Sequence, residues 1–483
     1  MCEMDTTLVR VDEFIWEIPP SGGMRVPGRI YADAALLDAL GSDQSLSQVR
    51  NVAHLPGIRR YSLAMPDIHF GYGFPIGGVA AFGVDDGVVS PGGVGYDINC
   101  GVRLLATDLT RADVEGTMKR VVDQVFRDVP SGVGSHGAIH KLDRAELTRL
   151  VVQGAAWAVE HGFGHPRNLD HTESAGALHG ADPDALSDRA FQRGLDQVGT
   201  LGSGNHFLEI QVVDEIFDPI AARAFGLFEG QITLMVHCGS RGFGYQVCED
   251  YLGVMAAAAS RYGIELPDRQ LACAPVTSPE AARYLAAMAC AANYAWANRQ
   301  MIMHLAEEAL LRALSIGPKD LGLRLVYDVA HNIAKIEEHT HDGHTELLCV
   351  HRKGATRAFA PGHPELPAAY RDVGQPVLIP GDMGTASFVC KGTQAAMDQT
   401  FGSTCHGAGR VLSRAAAVKR SQGRFIEREL AAVGVTVRSQ GRKTLQEELP
   451  EAYKDVEEVV RVMDGAGISP RVARLRPLGV VKG

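Results

Sequence analysis

The chain has 483 residues, 46% of them hydrophobic and 22% charged, the balance of a folded globular protein and not of a disordered one. No apolar run nears the ~18 residues of a membrane span, and the segment Met1-Cys2-Glu3-Met4-Asp5 lacks the basic and apolar regions of a secretory signal, so a cytoplasmic protein without membrane association is expected. The formal charge of −10 argues against nonspecific duplex binding, although local basic patches and bound cations set the field at any one site. In chain order, a strand is predicted over 102–106. Thr110 and Asp113 then precede Val114, Met118, Val121, Val122 and Val125, whose spacing predicts a capped amphipathic helix. Residues 134–200, where Gly, His, Asp and Ala alternate without periodicity, are read as an irregular, solvent-facing connection with short helices. Strands follow at 207–213 and 232–236. Pro279 suits the first turn of a helix running toward Leu314; it would approach roughly 50 Å, so a kink or break is expected. Further strands are predicted at 323–329, 346–351 and 376–379, and further helices at 410–433 and 450–463. There is no internal repeat. Strands alternating with helices favour a mixed α/β class, with ligands expected where strands run out.

Nine cysteines, an odd number with no C-x-x-C pair, read as reduced thiols. One of them, Cys100, belongs to a set of polar residues that end apolar runs: Asp97-Ile98-Asn99-Cys100, Gly204-Asn205-His206, Val236-His237-Cys238-Gly239-Ser240-Arg241 and Asp328-Val329-Ala330-His331-Asn332. Carboxylate, thiolate and imidazole are ligand types for a divalent transition metal, and ligands scattered over distant strand ends are typical of catalytic sites. The plainer alternative is that each is an isolated hydrogen-bonded residue near a turn. His406 stands apart, in the turn Ser403-Thr404-Cys405-His406-Gly407-Ala408-Gly409-Arg410 before a predicted helix. Small residues there can turn backbone N–H groups toward an anion, Arg410 and Arg414 add charge, and an imidazole can attack phosphorus. The alternative is a helix start that needs glycine for close packing.

Three other segments are less specific. Asn205-His206-Phe207-Leu208-Glu209 alternates as a strand does, which puts Asn205, Phe207 and Glu209 on one face and His206 on the other. Pro380-Gly381-Asp382-Met383-Gly384-Thr385-Ala386-Ser387 is a second Gly-rich turn, weak alone. His351-Arg352-Lys353-Gly354-Ala355-Thr356-Arg357 either binds phosphates or is a solvated surface loop, and the loop is favoured. Residues 289–299 read as helix packing, with Asn298 and Arg299 as exceptions. A metal site beside a phosphate-binding turn with a nucleophile points to nucleotidyl transfer.

Taken in order, these segments resemble the RtcB family of GTP- and Mn²⁺-dependent RNA ligases. The likeness runs from Met65-Pro66-Asp67-Ile68-His69-Phe70-Gly71-Tyr72-Gly73-Phe74-Pro75-Ile76-Gly77-Gly78 to Pro477-Leu478-Gly479-Val480-Val481-Lys482-Gly483, with 134–200 the least diagnostic part. The resemblance implies a single catalytic domain over 1–483, with mixed sheets flanked by helices and the active site at strand ends. It implies two Mn²⁺ ions on Asp97, Cys100, His206, His237 and His331, bridged by Cys100, and His406 as the residue that takes GMP. The guanine nucleotide would lie against Asn205, His206, Phe207, Leu208, Glu209, His331, Asn332, Pro380, Gly381, Asp382, Met383, Ser387, His406, Gly407, Ala408, Gly409 and Lys482. The implied activity joins RNA 3′-phosphate or 2′,3′-cyclic phosphate ends to 5′-hydroxyl ends, in tRNA splicing or RNA repair, and some members work with the activating partner archease. Asp382 departs from the Ser common in P-G-S-M-G-T, as Cys238 and Ala330 depart from Ser beside the ligand histidines. A binuclear phosphoesterase or nuclease would use the same ligands without GTP, and an RNA-binding protein with a structural metal is disfavoured by the sparse aromatic content.

Overall fold

A computed structural model describes residues 8–40 and 43–483. Its centre is a sheet in which Arg324–Ala330, Gly101–Thr110, Gln231–Cys238, Phe207–Ile216, Arg471–Lys482, Ser387–Lys391 and Pro376–Ile379 pair antiparallel in that spatial order, with Thr436–Ser439 parallel to Arg471–Lys482. Alternation along the inner strands supplies two apolar faces. Leu208, Ile210, Leu234 and Val236 pack with Val122 and Ile302 on one face, whereas Val102, Leu104, Phe207 and Met235 pack with Phe225 and Val329 on the other. A second sheet runs Val9–Arg10, Ile15–Ile18, Gly28–Tyr31, Ser62–His69, Ile76–Gly83, His344–Lys353, Asn332–His341, and packs on the helix Val456–Gly465 through Val459, Val460 and Met463. This is the mixed α/β arrangement expected, and every predicted strand is present.

The helices differ more. Thr110 and Asp113 do form a capping box, with Asp113 accepting from the Thr110 amide at 2.7 Å. It closes only the turn Arg111–Val114; Gly116, at φ +70°, separates that turn from the helix Met118–Asp128. Pro279–Leu314 runs 36 residues without the expected break, because its only proline occupies the first turn and it holds no glycine, so the usual causes of a kink are missing. The predicted 410–433 helix is two, Arg414–Arg420 and Ile426–Ala432, split at Gly423 (φ +78°). The 450–463 helix likewise divides into the turn Pro450–Ala452 and the helix Val456–Gly465. Residues 134–200 are neither irregular nor solvent-facing throughout: helices Arg144–Gln153, Ala155–Glu160 and Asp188–Gly194 bury Leu147, Leu150, Trp157 and Phe191 in the cluster that packs on the long helix. The basic run 351–357 is buried too. Arg352 makes paired contacts to Glu337 at 2.7 and 2.8 Å, and Arg357 holds Gln375 at 3.0 Å.

Candidate active site

Because the central strands alternate in direction, the starts of two and the ends of three meet at one margin of the sheet. Gly101 pairs with Cys238 and with Ala330, and Phe207 pairs with His237 and with Lys482. That registry carries Asp97, Cys100, His206, His237 and His331 to one place. Cys100 Sγ lies 3.3 Å from His237 Nε2 and 3.4 Å from His206 Nε2; His206 Nε2 lies 2.8 Å from Asp97 Oδ2, and His237 Nε2 lies 3.3 Å from His331 Nε2. The donors form two groups, Cys100–His237–His331 and Asp97–Cys100–His206, that share the thiol. Burial, then His206, Lys482 and His406, hold His237 well below the usual histidine range; burial, then His406 and His237, do the same to His331. Neutral rings whose Nε2 atoms face each other and a sulfur do not satisfy one another by hydrogen bonds alone, and a cation suits the set.

Neighbouring residues fix these donors. Asn99 adopts a left-handed conformation (φ +51°) and donates to Ala292 O at 2.7 Å, which sets the turn that presents Cys100. Arg299 donates to Asn99 O and Cys238 O at 2.7 and 2.8 Å, and Asn298 donates to Gly239 O at 3.1 Å. The Ser240 amide donates to Asp97 Oδ1 at 2.9 Å, and His206 is oriented by Leu201 O at 3.0 Å from its Nδ1. The exceptions expected within 289–299 are therefore braces for the loops that bear the donors.

His406 follows the short strand Ser403–Cys405, and its ring centre is 4.8 Å from that of His331. Its Nδ1 lies 2.6 Å from Asp67 Oδ2, and the same oxygen accepts from the His406 and Gly407 amides at 2.9 and 3.3 Å. The turn does receive an anion, but the anion is a buried carboxylate of the chain, and no helix begins until Arg414. Asp67 was invisible to spacing arguments. Its signals were an acid inside the largely apolar strand Ser62–His69 and its place in the family-like segment 65–78, neither of which gave it a role. Arg410 is likewise engaged, with Glu448 at 3.1 Å and Tyr453 at 3.0 Å, while Arg414 lies 3.7 Å from Glu448 and stays half-exposed. Glu448 and Tyr453 are further cavity residues that the sequence did not mark.

A cavity of about 340 Å³ joins these parts. It is lined by Asp97, Cys100, Asn205, Phe207, His237, His331, Asn332, Pro380, Gly381, Asp382, Met383, the 406–409 turn and Lys482. Lys482 ends the central strand Arg471–Lys482, with Nζ 3.4 Å from Asn205 O and 5.2 Å from the Phe207 ring centre. Glu209 is buried one step along the same face, where Gln211 Nε2 reaches it at 2.9 Å and Ser387 Oγ at 3.1 Å. Burial pushes the Glu209 carboxyl up, to about 8, against the pull of Lys482. Burial lowers Lys482. The Leu208 side chain turns to the opposite, helix-packed face. Asp382 caps its own turn, accepting from the Gly384 and Thr385 amides at 2.7 and 3.1 Å, so the residue that departs from the common Ser is satisfied locally.

The family model described as tRNA-splicing ligase RtcB matches residues 48–483, which take in every donor above and His406. The chain belongs to the RtcB family. Among its relatives, the tRNA-splicing ligase RtcB of Archaeoglobus fulgidus is 56% identical over 99% of this chain and 100% of its own, and that of Thermococcus kodakarensis is 54% identical over 99% of each. The RNA-splicing ligase RtcB of Mycobacterium tuberculosis is 53% identical over 90% of this chain and 100% of its own. The RtcB likeness read from short motifs thus extends across the helical 134–200 segment as well. Among the described residues no helix is long and apolar enough to cross a membrane, and the eight described cysteines are all unpaired.

Proposed function

We propose that the chain is a GTP-dependent RNA ligase that joins 3′-phosphate or 2′,3′-cyclic phosphate ends to 5′-hydroxyl ends through a histidine–GMP intermediate. The observation that carries this is the His406–Asp67 pair. With Nδ1 bound to a buried carboxylate, the proton sits on Nδ1 and the Nε2 lone pair is left for the cavity. Nε2 bonds to the α-phosphorus of GTP as pyrophosphate leaves. The P–N bond then breaks as an RNA 3′-phosphate oxygen takes the GMP, giving an RNA–ppG end. The 5′-hydroxyl oxygen of the second strand attacks the RNA phosphorus, its proton is lost, and GMP leaves. A cyclic phosphate is first hydrolysed to the 3′-phosphate.

Asp97, Cys100, His206, His237 and His331 would hold two Mn²⁺ ions with the thiolate shared. Such ions supply electrostatic stabilisation of charge that builds on the phosphates. Glu209, when ionised, is placed to accept from a guanine edge, and Lys482 adds a point charge beside Asn205 and Phe207. A binuclear phosphoesterase has no use for a tethered histidine nucleophile, nor for a buried Glu209 and a buried Lys482 near it.

Incubation with α-labelled GTP and Mn²⁺, followed by denaturation, tests the reading. Label is expected on wild-type protein and not on His406→Ala, which should still seal RNA supplied with a preformed ppG end. Stable label on the variant would overturn the assignment of His406.

A further inference from the structure

The chain carries its charge of −10 unevenly. Between residues 410 and 443, nine arginines and lysines stand against two acids, Glu427 and Glu429, so a strongly basic segment sits in an acidic chain. That segment folds as one lobe. The helices Arg414–Arg420, Ile426–Ala432 and Arg442–Glu447 and the strand Thr436–Ser439 bury Ala417, Ile426, Leu430, Val437 and Leu445 against Met383 and Val480. Met383 also lines the cavity, so the inner side of the lobe supports the cavity wall.

Its outer side is not explained by packing. Phe425, just ahead of the second of these helices, is 57% exposed. The guanidiniums of Arg428 and Arg442 stand 4.9 and 5.4 Å from its ring centre. Both arginines are exposed, as are Lys419 and Arg420 at the end of the first helix, and none of the four has a carboxylate partner among the described residues. Arg424 differs, being held by Glu429 at 2.5 Å and Glu451 at 2.9 Å. Arg442 donates to Arg424 O at 3.0 Å, which fixes the third helix to the loop that bears Phe425. A merely solvated face intersperses its charges with opposite ones, whereas here two cations flank one exposed ring. The strip also has a direction. Arg414, at the other end of the first helix, lines the cavity, about 10 Å of helix from Arg420.

We propose that the outer side of this lobe is a docking surface for the body of an RNA, away from the end that is joined. The inference rests on the ligase reading above. Phosphates lie against Lys419, Arg420, Arg428 and Arg442, and a ribose or base face covers Phe425. Such contacts supply affinity without reading sequence, and they relieve the crowding of cations around the ring. An acidic protein would match the charge as well. RNA is favoured because the strip is continuous with the cavity through Arg414, so an RNA engaged there has the lobe within reach.

The test measures binding of the full chain, without GTP, to single-stranded 3′-phosphate RNAs of about three and about 20 nucleotides over a range of salt concentrations. The double variant Arg428→Gln/Arg442→Gln should bind the long RNA on the order of tenfold more weakly. Its slope of log affinity against log salt should be shallower by about 1.4, the loss of two phosphate contacts. Phe425→Ala should weaken the long RNA and leave the slope unchanged, since it removes no charge. Binding of the short RNA and GTP labelling should match wild type in both variants. Wild-type affinity and salt slope for the long RNA in the double variant overturn the docking surface and leave the lobe to an acidic partner. An equal loss for the short RNA overturns it too, because the effect would then lie in the cavity. GTP labelling of the wild type judges the ligase reading separately, since it needs no RNA.

Discussion

At His406 three donors converge on one oxygen of Asp67, an acid 339 residues away in sequence. Replacing Asp67 by Asn keeps the size but removes the charge that favours a proton on Nδ1. We expect GTP labelling to fall at least about a hundredfold with the apparent affinity for GTP little changed. A normal labelling rate would mean that Asp67 only holds the turn. Cys100→Ala should lower bound metal more than loss of any one histidine, because both donor groups share its sulfur; elemental analysis that finds two ions per variant chain would rule out a bridge. Glu209 gives a pH signature. Its folded-state carboxyl titrates near 8, whereas the unfolded carboxyl titrates near 4.5, so between those values the folded protein holds a proton that the unfolded chain has released. Stability from Glu209 is therefore complete below about pH 4.5 and is lost as pH rises through 8. In metal- and nucleotide-free protein, the melting temperature of Glu209→Gln should gain on wild type between pH 5 and pH 8. A constant gap would show that Glu209 is ionised throughout. The five residues that meet at the candidate metal site could be singled out in the sequence because Asp, Cys and His stand where apolar runs stop. Asp67 could not, since an acid inside a strand shows its purpose only when its distant partner is in place.

The predicted strands followed ordinary alternation, with apolar side chains inward. The strand Asn332–His341 inverts that pattern: Lys335, Glu337 and His339 are buried while Ile336 is 44% exposed. Its charges are paired across the fold, Lys335 with Glu173 at 2.5 Å and Glu337 with Arg352 at 2.7 Å. A period-two argument assigns such a strand the wrong face, and the basic run opposite it then reads as a surface loop. The inversion predicts opposite outcomes for two neighbours. Glu337→Ala leaves a buried guanidinium unpaired and should cost about 3–5 kcal/mol in denaturant unfolding, whereas Ile336→Thr should stay within about 0.5 kcal/mol. Equal costs would contradict the pairing. The helix boundaries failed for a different reason. A capping box at Thr110 and a glycine at 423 act over one turn, and apolar spacing averaged over longer windows does not register them.

Across the whole molecule, the donors come from residues 97 to 331 and the lysine from 482, brought together by registry in the central sheet, and the histidine at 406 is added by the separate two-stranded pairing of Ser403–Cys405 with Ala355–Arg357. The helix Pro279–Leu314 backs this arrangement along its length. Tyr284, Met288 and Met301 belong to the helical cluster that includes Trp157 and Phe243, and Ile302, Ala306 and Leu310 belong to the sheet-packed cluster. At ~1.5 Å per residue it is a rod of about 54 Å, seated in both clusters. A hinge between those two bodies would have to bend the rod where Asn298 and Arg299 grip the donor loops. Closure by a hinge between those two bodies is thus opposed by the rod, and we expect the cavity to admit strand ends through an opening that already exists, with movement confined to its rim. The radius of gyration in solution, about 23 Å for a compact chain of this length, should change by less than about 0.5 Å when Mn²⁺ and GTP are added.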